Sequence, residues 1–174
     1  MEGSNMNESI DRIPLDTPGS NSVEAVFDRY GDMIYRLAFV RTKNRYDADD
    51  ILQDVLVRYL RFAPNFASEE HRKAWLIRTT VNRTNSLFSS AWFRRSVPLD
   101  DSLQTEMQEK SEVYDAVLKL APKYRTVVHL FYYEEYTTAE IASILSQKES
   151  TVRSQLHRAR AQLRTELKGV YDDV

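Results

Sequence analysis

Residues 137–164 carry the pattern of two amphipathic helices joined by a tight turn, the second of them strongly basic. Thr137 and Glu140 have the spacing of a capping box, which opens a helix by satisfying its first backbone N–H groups. Ser150 is predicted to cap the second helix. Apolar residues then recur at the helical period, at Val152, Leu156, Ala159 and Leu163. The pattern predicts a helix-turn-helix, whose second helix enters the major groove of DNA; the alternative is a solvated basic helix in an ordinary bundle.

The composition limits the class of fold and of chemistry. The chain has 174 residues, 42% of them hydrophobic, with four glycines and five prolines, which predicts an all-α protein of one or two small domains. The absence of cysteine from the sequence excludes a disulfide framework, a thiolate metal site and a cysteine nucleophile. The polar N-terminus has no apolar signal region, and no stretch approaches about 18 apolar residues, so we expect a soluble cytoplasmic protein.

The charges are unevenly distributed, although the formal net charge is only −2. Residues 71–95 contain six Lys or Arg and no acidic residue, and residues 150–168 contain five against Glu166 alone. The balancing acids lie in the N-terminal segment and in residues 100–115. Because local charge governs contact with phosphates, two separate DNA contacts are predicted.

Helical periodicity predicts three helices in the first half of the chain. They extend over about 22–41, from an N-cap at Asp47 to Phe62, and from an N-cap at Ser68 to about Phe88. Pro64 ends the second of these helices. The buried faces of the first two are predicted to consist of Val23, Val26, Phe27, Tyr30, Ile34, Leu37, Ala38, Ile51, Leu52, Val55, Leu56, Tyr59 and Phe62.

A second group of helices is predicted to begin near Ser111. Its first helix should bury Val113, Val117 and Leu118, and Pro122 should open the next. The chain is therefore expected to form two small helical domains joined by a flexible linker. The predicted limits are a mobile tail (1–21), a first domain (22–95), the linker (96–110) and a second domain (111–174).

Four stretches, in this order and at this spacing, carry a family resemblance. They are FDRYGDMIYRLA (27–38), YDADDILQDVLVRYLRF (46–62), AWLIRTTVNRTNS (74–86) and the run 120–164. Together they resemble the bacterial RNA polymerase sigma factors of the extracytoplasmic-function (ECF) group. The resemblance implies a sigma region 2 domain and a winged-helix-like sigma region 4 domain. It further implies a protein that binds core polymerase, recognises the −35 and −10 promoter elements and captures the opened non-template strand.

The helix over 46–62 carries a charged stripe with one central apolar residue opposite its buried face. The stripe consists of Asp50, Gln53, Asp54, Val57 and Arg58. By resemblance, this face docks on the clamp helices of the largest polymerase subunit, while the second domain contacts the flap of the second-largest subunit. A polar stripe of this kind suits a specific protein interface. The alternative is a solvated helix face.

The basic segment 71–95 is implied by the resemblance to hold unpaired bases of the −10 element. The candidate residues are Arg78, Asn82, Arg83, Asn85, Arg94 and Arg95. Amides can bond the Watson–Crick edge of an extruded base, and arginines can stack on bases or contact phosphates. Trp75 shares this helical face, but an apolar ring beside Leu76 is more often a core residue than a stacking platform. The stretch after Asn82 lacks the aspartate usual in the family, so the −10 specificity is not carried over.

The basic C-terminal helix would then recognise the −35 element. The candidate residues are Ser150, Thr151, Arg153, Ser154, Gln155, His157, Arg158 and Arg160. Arg153, Ser154 and Gln155 lie near the helix start, where arginine suits guanine and glutamine suits adenine. The later residues are expected to contact phosphates. The turn before this helix, SQKES, lacks the glycine usual in the family.

No pattern indicates catalysis, a cofactor or a metal site, since His71, His129 and His157 are scattered without ligand spacing. The expected partners are core polymerase, promoter DNA and, by resemblance, an anti-sigma factor. Two other interpretations stay open: a DNA-binding regulator that uses the helix-turn-helix alone, and an interaction protein whose basic surfaces bind an acidic partner. A simple regulator would not need the stretches 46–62 and 74–86.

Overall fold

The computed structural model describes residues 21–90 and 111–171, with side chains through residue 168. These ranges are largely α-helical, and no strand occurs in them. The N-terminal bundle contains α1 (Val23–Thr42), α2 (Arg45–Phe62) and α3 (Glu69–Ser89). The C-terminal bundle contains α4 (Glu112–Lys119), α5 (Pro122–Val128) with a π-helical turn (His129–Tyr133), α6 (Thr138–Leu145) and α7 (Glu149–Tyr171). The all-α prediction is confirmed, whereas the predicted linker and nearly all of the predicted tail lie outside the described residues.

Polar side chains begin the helices of the N-terminal bundle. Ser22 caps α1, and Ser68 caps α3, as predicted, by accepting the backbone N–H of His71. The predicted cap of α2 is wrong: it is Asn44, whose side-chain oxygen accepts the N–H of Asp47 at 3.1 Å. Asp47 instead lies in the first turn of α2, where a carboxylate interacts favourably with the positive end of the helix dipole.

The apolar stripes of α1, α2 and α3 meet in a common core. Its most buried members, at most 1% exposed, include Val26, Ile34, Leu37, Ala38, Ala48, Val55, Leu76 and Ile77. Most of the predicted stripe is confirmed, but Phe27 and Phe62 are 49% and 68% exposed. Both lie at the edge of the stripe, and the helical period alone does not say how wide a buried face is.

The C-terminal bundle is built around α7, which packs against α4, α5 and α6. Pro122 occupies the first turn of α5, as predicted. A backbone N–H at this position would have no partner within the helix, so proline, which lacks one, costs no hydrogen bond there. The predicted stripe of α7 is buried at Val152, Leu156 and Ala159. In α4, Ala116 and Leu118 are buried, but Val113 is 47% exposed because it lies in the first turn, beyond the edge of the core.

The predicted helix-turn-helix consists of α6 and α7. Thr137 accepts the N–H of Glu140, and the Glu140 carboxylate accepts the N–H of Thr137 at 2.8 Å, which is the predicted capping box. The predicted start of the second helix is wrong. Because α7 begins at Glu149, Ser150 lies inside its first turn and does not cap it.

The turn between these two helices closes without a glycine. Ser146 adopts the left-handed conformation (φ 53°, ψ 44°), which is unfavourable by about 1–2 kcal/mol for an L-residue. This conformation lets the N–H of Gln147 donate to the carbonyl of Ala142 at 2.9 Å, which lies in the last turn of α6 and would otherwise lack a partner within the helix. Serine therefore fills the position that glycine usually takes.

Thr137→Ala is expected to lower the free energy of unfolding by about 1–2 kcal/mol, because the capping box is broken and the Glu140 N–H loses its acceptor. Thr165→Ala is the matched control, since its hydroxyl donates to the Ala161 carbonyl on an exposed face of α7. The control should change stability by less than about 0.5 kcal/mol. Urea unfolding followed by circular dichroism measures both, and equal losses would contradict the role of the capping box.

Candidate polymerase and nucleic-acid interface

The outward face of α2 presents the residues predicted to dock on polymerase. Asp50 and Gln53 are exposed, and Val57 is 44% exposed. Leu60, which was not among the predicted residues, is 59% exposed and lies one turn beyond Val57 on the same stripe. It enlarges the apolar centre of this face, and its spacing of three residues from Val57 was the signal that could have identified it.

The other two members of this face, Asp54 and Arg58, pair with each other, and Asp54 also pairs with a residue of α3. The Asp54 carboxylate forms an ion pair with Nε of Arg83 across the boundary between α2 and α3. Its Oδ2 atom also lies 3.5 Å from Nε of Arg58. Asp54, Arg58 and Arg83 therefore form an ion-pair cluster, which connects the candidate docking face with the helix predicted to bind single-stranded DNA.

The exposed face of α3 carries three of the predicted −10 residues, Arg78, Asn82 and Asn85. Trp75 does not join them. It is half-buried, and its ring meets those of Tyr59 and Phe66 edge-on, with centroids 6.1 and 5.9 Å away. Trp75 is thus a packing residue between α2 and α3. Arg94 and Arg95 lie outside the described residues.

Two side chains of this α3 face are engaged by other parts of the protein. Arg78 donates to the carbonyls of Ile144 and Ser143, at 2.9 and 3.0 Å, in the last turn of α6. The negative end of the helix dipole favours a cation at this position. Asn85 Oδ1 accepts a hydrogen bond from Arg41 at 2.6 Å. The last turn of α6 therefore covers part of the predicted strand-binding face.

Two buried arginines join the bundles, Arg41 at the end of α1 and Arg125 in α5. Arg125 donates to the carbonyls of Val40 and Arg41 at 2.6 and 2.7 Å, and so satisfies the end of α1. Arg41 donates to the hydroxyls of Thr84 and Thr126. Burial lowers the pKa of each arginine to about 10, and the charge of Arg125 contributes to the lowered pKa of Arg41. We call these contacts the arginine junction.

A second polar contact between the bundles involves Glu134, which follows the π-helical turn. Its carboxylate lies 2.9 Å from Lys73 Nζ of α3 and 3.6 Å from His129 Nε2. Burial alone would raise the pKa of Glu134, but the interactions with His129 and Lys73 outweigh it, and the pKa lies below its usual value. The carboxylate is therefore ionised at neutral pH and pairs with Lys73.

The outer face of α7 is open to solvent. Of its predicted DNA contacts, the exposed ones are Ser150, Thr151, Arg153, Ser154, His157, Arg158 and Arg160. Gln155 is half-buried, so it lies beside the apolar stripe. Arg153 donates to the Glu149 carboxylate at 2.7 Å, and Arg160 donates to the Tyr132 hydroxyl at 2.7 Å. Arg153 must therefore leave Glu149 before it can contact a base.

Two features are absent from the part of the chain that the structure describes. Within it, no helix is long and apolar enough to cross a membrane. The same residues contain no group of three or more His, Cys, Asp or Glu side chains that could hold a metal ion.

Comparison with known proteins places both bundles in one family. Residues 26–94 match Sigma-70 region 2, and residues 110–163 match Sigma-70 region 4. The RNA polymerase sigma-E factor of Streptomyces avermitilis is 33% identical over 148 residues, which cover 78% of this chain and 79% of that protein. The ECF RNA polymerase sigma factor SigW of Bacillus subtilis is 27% identical over 165 residues, covering 82% and 87%. The chain belongs to the ECF sigma factors.

The fold of this ECF sigma factor also occurs in solved structures. The sigma factor RpoE of Bartonella quintana, solved in complex with the anti-sigma factor NepR, has a TM-score of 0.66 at 21% identity, over 83% of this chain and 96% of that one. CnrH, solved in complex with the cytosolic domain of CnrY, has a TM-score of 0.64 at 22% identity, over 87% and 90%. The predicted family is confirmed: the protein is a transcription regulator that directs promoter-specific initiation.

Proposed function

We propose that this ECF sigma factor binds core RNA polymerase through α2 and holds a promoter at two points, the −10 element at α3 and the −35 element at α7. The combination of an exposed α2 stripe, an amide-bearing α3 face and an open basic helix-turn-helix on one chain carries this proposal. A regulator acting alone would need only the last of these. Co-elution with core polymerase, followed by footprinting of the complex, tests it. We expect two protected blocks; binding to DNA but not to core polymerase would contradict the proposal.

The two bundles are inferred to act as separate domains, residues 22–95 and 111–174, connected by residues 96–110. The limits of the matched families, 26–94 and 110–163, support this division. The division assigns docking and strand capture to the first domain and duplex recognition to the second. Contact of the second domain with the flap of the second-largest polymerase subunit belongs to the same proposal.

Strand capture is assigned to the exposed face of α3. Asn82 and Asn85 supply amides that can bond the Watson–Crick edges of unpaired bases, and Arg78 can contact a phosphate. Asn82 is exposed, so it can meet a base directly. Arg78 and Asn85 must first leave the carbonyls of α6 and the side chain of Arg41.

Recognition of the −35 element is assigned to α7, whose first exposed turns face outward as a major-groove helix requires.

Arg153→Ala is expected to lower discrimination at one base pair of that element by about 1–3 kcal/mol, since a bidentate contact to guanine is lost. The measurement is the affinity of the complex with core polymerase for a set of single-base promoter variants. Arg158→Ala is the matched control and should weaken binding to all variants alike, because a phosphate contact carries no sequence information. A uniform loss for Arg153→Ala would make Arg153 a phosphate contact.

An anti-sigma factor is proposed as a further partner. The support is that RpoE, which shares this fold, was solved with an anti-sigma factor, and that CnrH, which also shares it, was solved with the cytosolic domain of CnrY. A groove of about 500 Å³ between α1 and the C-terminal bundle offers an apolar surface of the kind that receives an amphipathic helix. Its aromatic lining consists of Tyr35, Phe39, Tyr114, Tyr132 and Tyr133.

The protein is proposed to supply binding energy and not catalysis. The polymerase carries out the chemistry of initiation, while α2, α3 and α7 position the promoter. The protein is accordingly placed in the cytoplasm, where bacterial polymerase meets DNA.

A further inference from the structure

Arg83 occupies an unexpected position in the ion-pair cluster of Asp54 and Arg58. The sequence predicts it to contact single-stranded DNA beside Asn82. In the structure its guanidinium lies against α2, where Nε pairs with Asp54. Successive residues of a helix point about 100° apart, so Asn82 faces solvent while Arg83 faces the neighbouring helix.

The contact between Arg83 and Asp54 is shielded from water. Three atoms meet in it, Oδ2 of Asp54 and the two Nε atoms of Arg58 and Arg83; each is buried and has no hydrogen-bond partner among the described residues, so ion pairing alone joins them. The Arg83 side chain as a whole is 33% exposed, and that of Asp54 is 36% exposed. Arg83 therefore cannot offer its Nε–H to a DNA strand without leaving Asp54, whereas Asp54 still presents the rest of its side chain to a partner.

We propose that Arg83 is a positioning residue for polymerase docking and that it acts through Asp54. This inference rests on the proposed function of α2. An aspartate on an exposed helix face samples several rotamers, and ordering it on binding reduces affinity. Arg83 and Arg58 hold Oδ2 from two helices, so the carboxylate is fixed before polymerase arrives. Arg83 thus belongs to the docking face of α2, although it lies on the helix assigned to strand capture.

A double-mutant cycle on the affinity of the full chain for core polymerase tests the inference. Arg83→Gln is expected to weaken binding about tenfold, and Asp54→Asn more strongly. The double variant, Asp54→Asn with Arg83→Gln, should bind no more weakly than Asp54→Asn alone, because Arg83 is proposed to contribute to docking only through Asp54. Arg83→Lys should restore part of the affinity, since it keeps the charge but not the planar guanidinium.

The matched control is Arg29→Gln, which also removes an arginine paired with a carboxylate of another helix, Glu69, at 3.2 Å. Arg29 lies outside the docking face, so the affinity of Arg29→Gln for core polymerase should equal that of the wild type. Thermal melting of each variant separates loss of docking from loss of fold.

Three results would overturn the assignment of Arg83. The first is an unchanged affinity for core polymerase in Arg83→Gln, and the second is an additive loss of affinity in the double variant. The third is a loss of affinity that parallels the fall in melting temperature and also occurs in Arg29→Gln. If the wild type fails to bind core polymerase, the proposed function itself is contradicted. An additive cycle on a wild type that does bind contradicts only the role of Arg83.

Discussion

Asp54→Arg is expected to reduce the affinity for core polymerase by about 100-fold or more, that is by about 3 kcal/mol. The substitution places a cation at the centre of the charged α2 face, where the docking proposal requires a carboxylate. The loss therefore includes both the missing attraction and a new repulsion. Titration of fluorescently labelled protein with core polymerase, followed by anisotropy, measures it.

The new arginine would also face Arg58 and Arg83, so stability has to be measured separately from docking. The double variant Asp54→Arg with Arg83→Asp restores an ion pair between α2 and α3 with the opposite polarity. It should regain the melting temperature of the wild type but not its affinity for polymerase. Recovery of binding in this variant, or wild-type affinity in Asp54→Arg, would remove Asp54 from the docking face.

The two bundles are expected to move apart when the protein binds polymerase and a promoter. The names of the −35 and −10 elements place their centres about 25 base pairs apart, which is about 85 Å at 3.4 Å per base pair. A compact protein of this size is only about 40 Å across, as its expected radius of gyration indicates. Arg78 must also leave α6 before it can contact DNA. The arginine junction is therefore expected to open.

The absence of cysteine from the sequence makes this opening measurable, because two introduced thiols can be labelled selectively. Asn65→Cys and Gln162→Cys place a fluorophore pair on exposed positions of the two bundles. Energy transfer should be high in the free protein and fall sharply on addition of core polymerase and promoter DNA. Lys73→Gln, which removes the contact with Glu134, should lower energy transfer in the free protein. Unchanged energy transfer in the full complex would contradict simultaneous binding of both elements.

Much of the fold could be predicted because the signals are local. The stripe of α7, the cap Ser68 and the capping box of Thr137 and Glu140 each depend on residues within a few turns. The prediction of Asp47 as the cap of α2 is wrong because Asn44, three residues earlier, is equally able to cap a helix. Sequence pattern does not decide between two such residues.

The first turn of α7 makes a contact that sequence pattern does not contain. The Val152 N–H reaches the Lys148 carbonyl at 3.2 Å, so Ser150 lies inside the helix, and Glu149 accepts a hydrogen bond from the Thr138 hydroxyl of α6 at 2.7 Å. Its carboxylate, held by Thr138 and Arg153, also has a pKa below the usual value.

The outward faces of α2 and α7 could be predicted because they are the complements of the buried stripes. The partners of the polar residues could not, because they are set by how helices pack. Arg41 and Thr126 are 85 positions apart, and Arg78 meets a carbonyl 66 positions away. Arg83 illustrates the same limit: its charge suggested DNA, whereas packing of α3 on α2 places it against Asp54.

The central claim is that this chain directs promoter-specific initiation, and run-off transcription tests it most directly. Purified core polymerase is incubated with a promoter library, with and without the protein, and the transcripts are sequenced. We expect transcripts that depend on the protein and start downstream of a shared motif in two blocks. The absence of such transcripts from a protein that neither binds core polymerase nor initiates would contradict the account and favour a DNA-binding regulator that uses the helix-turn-helix alone.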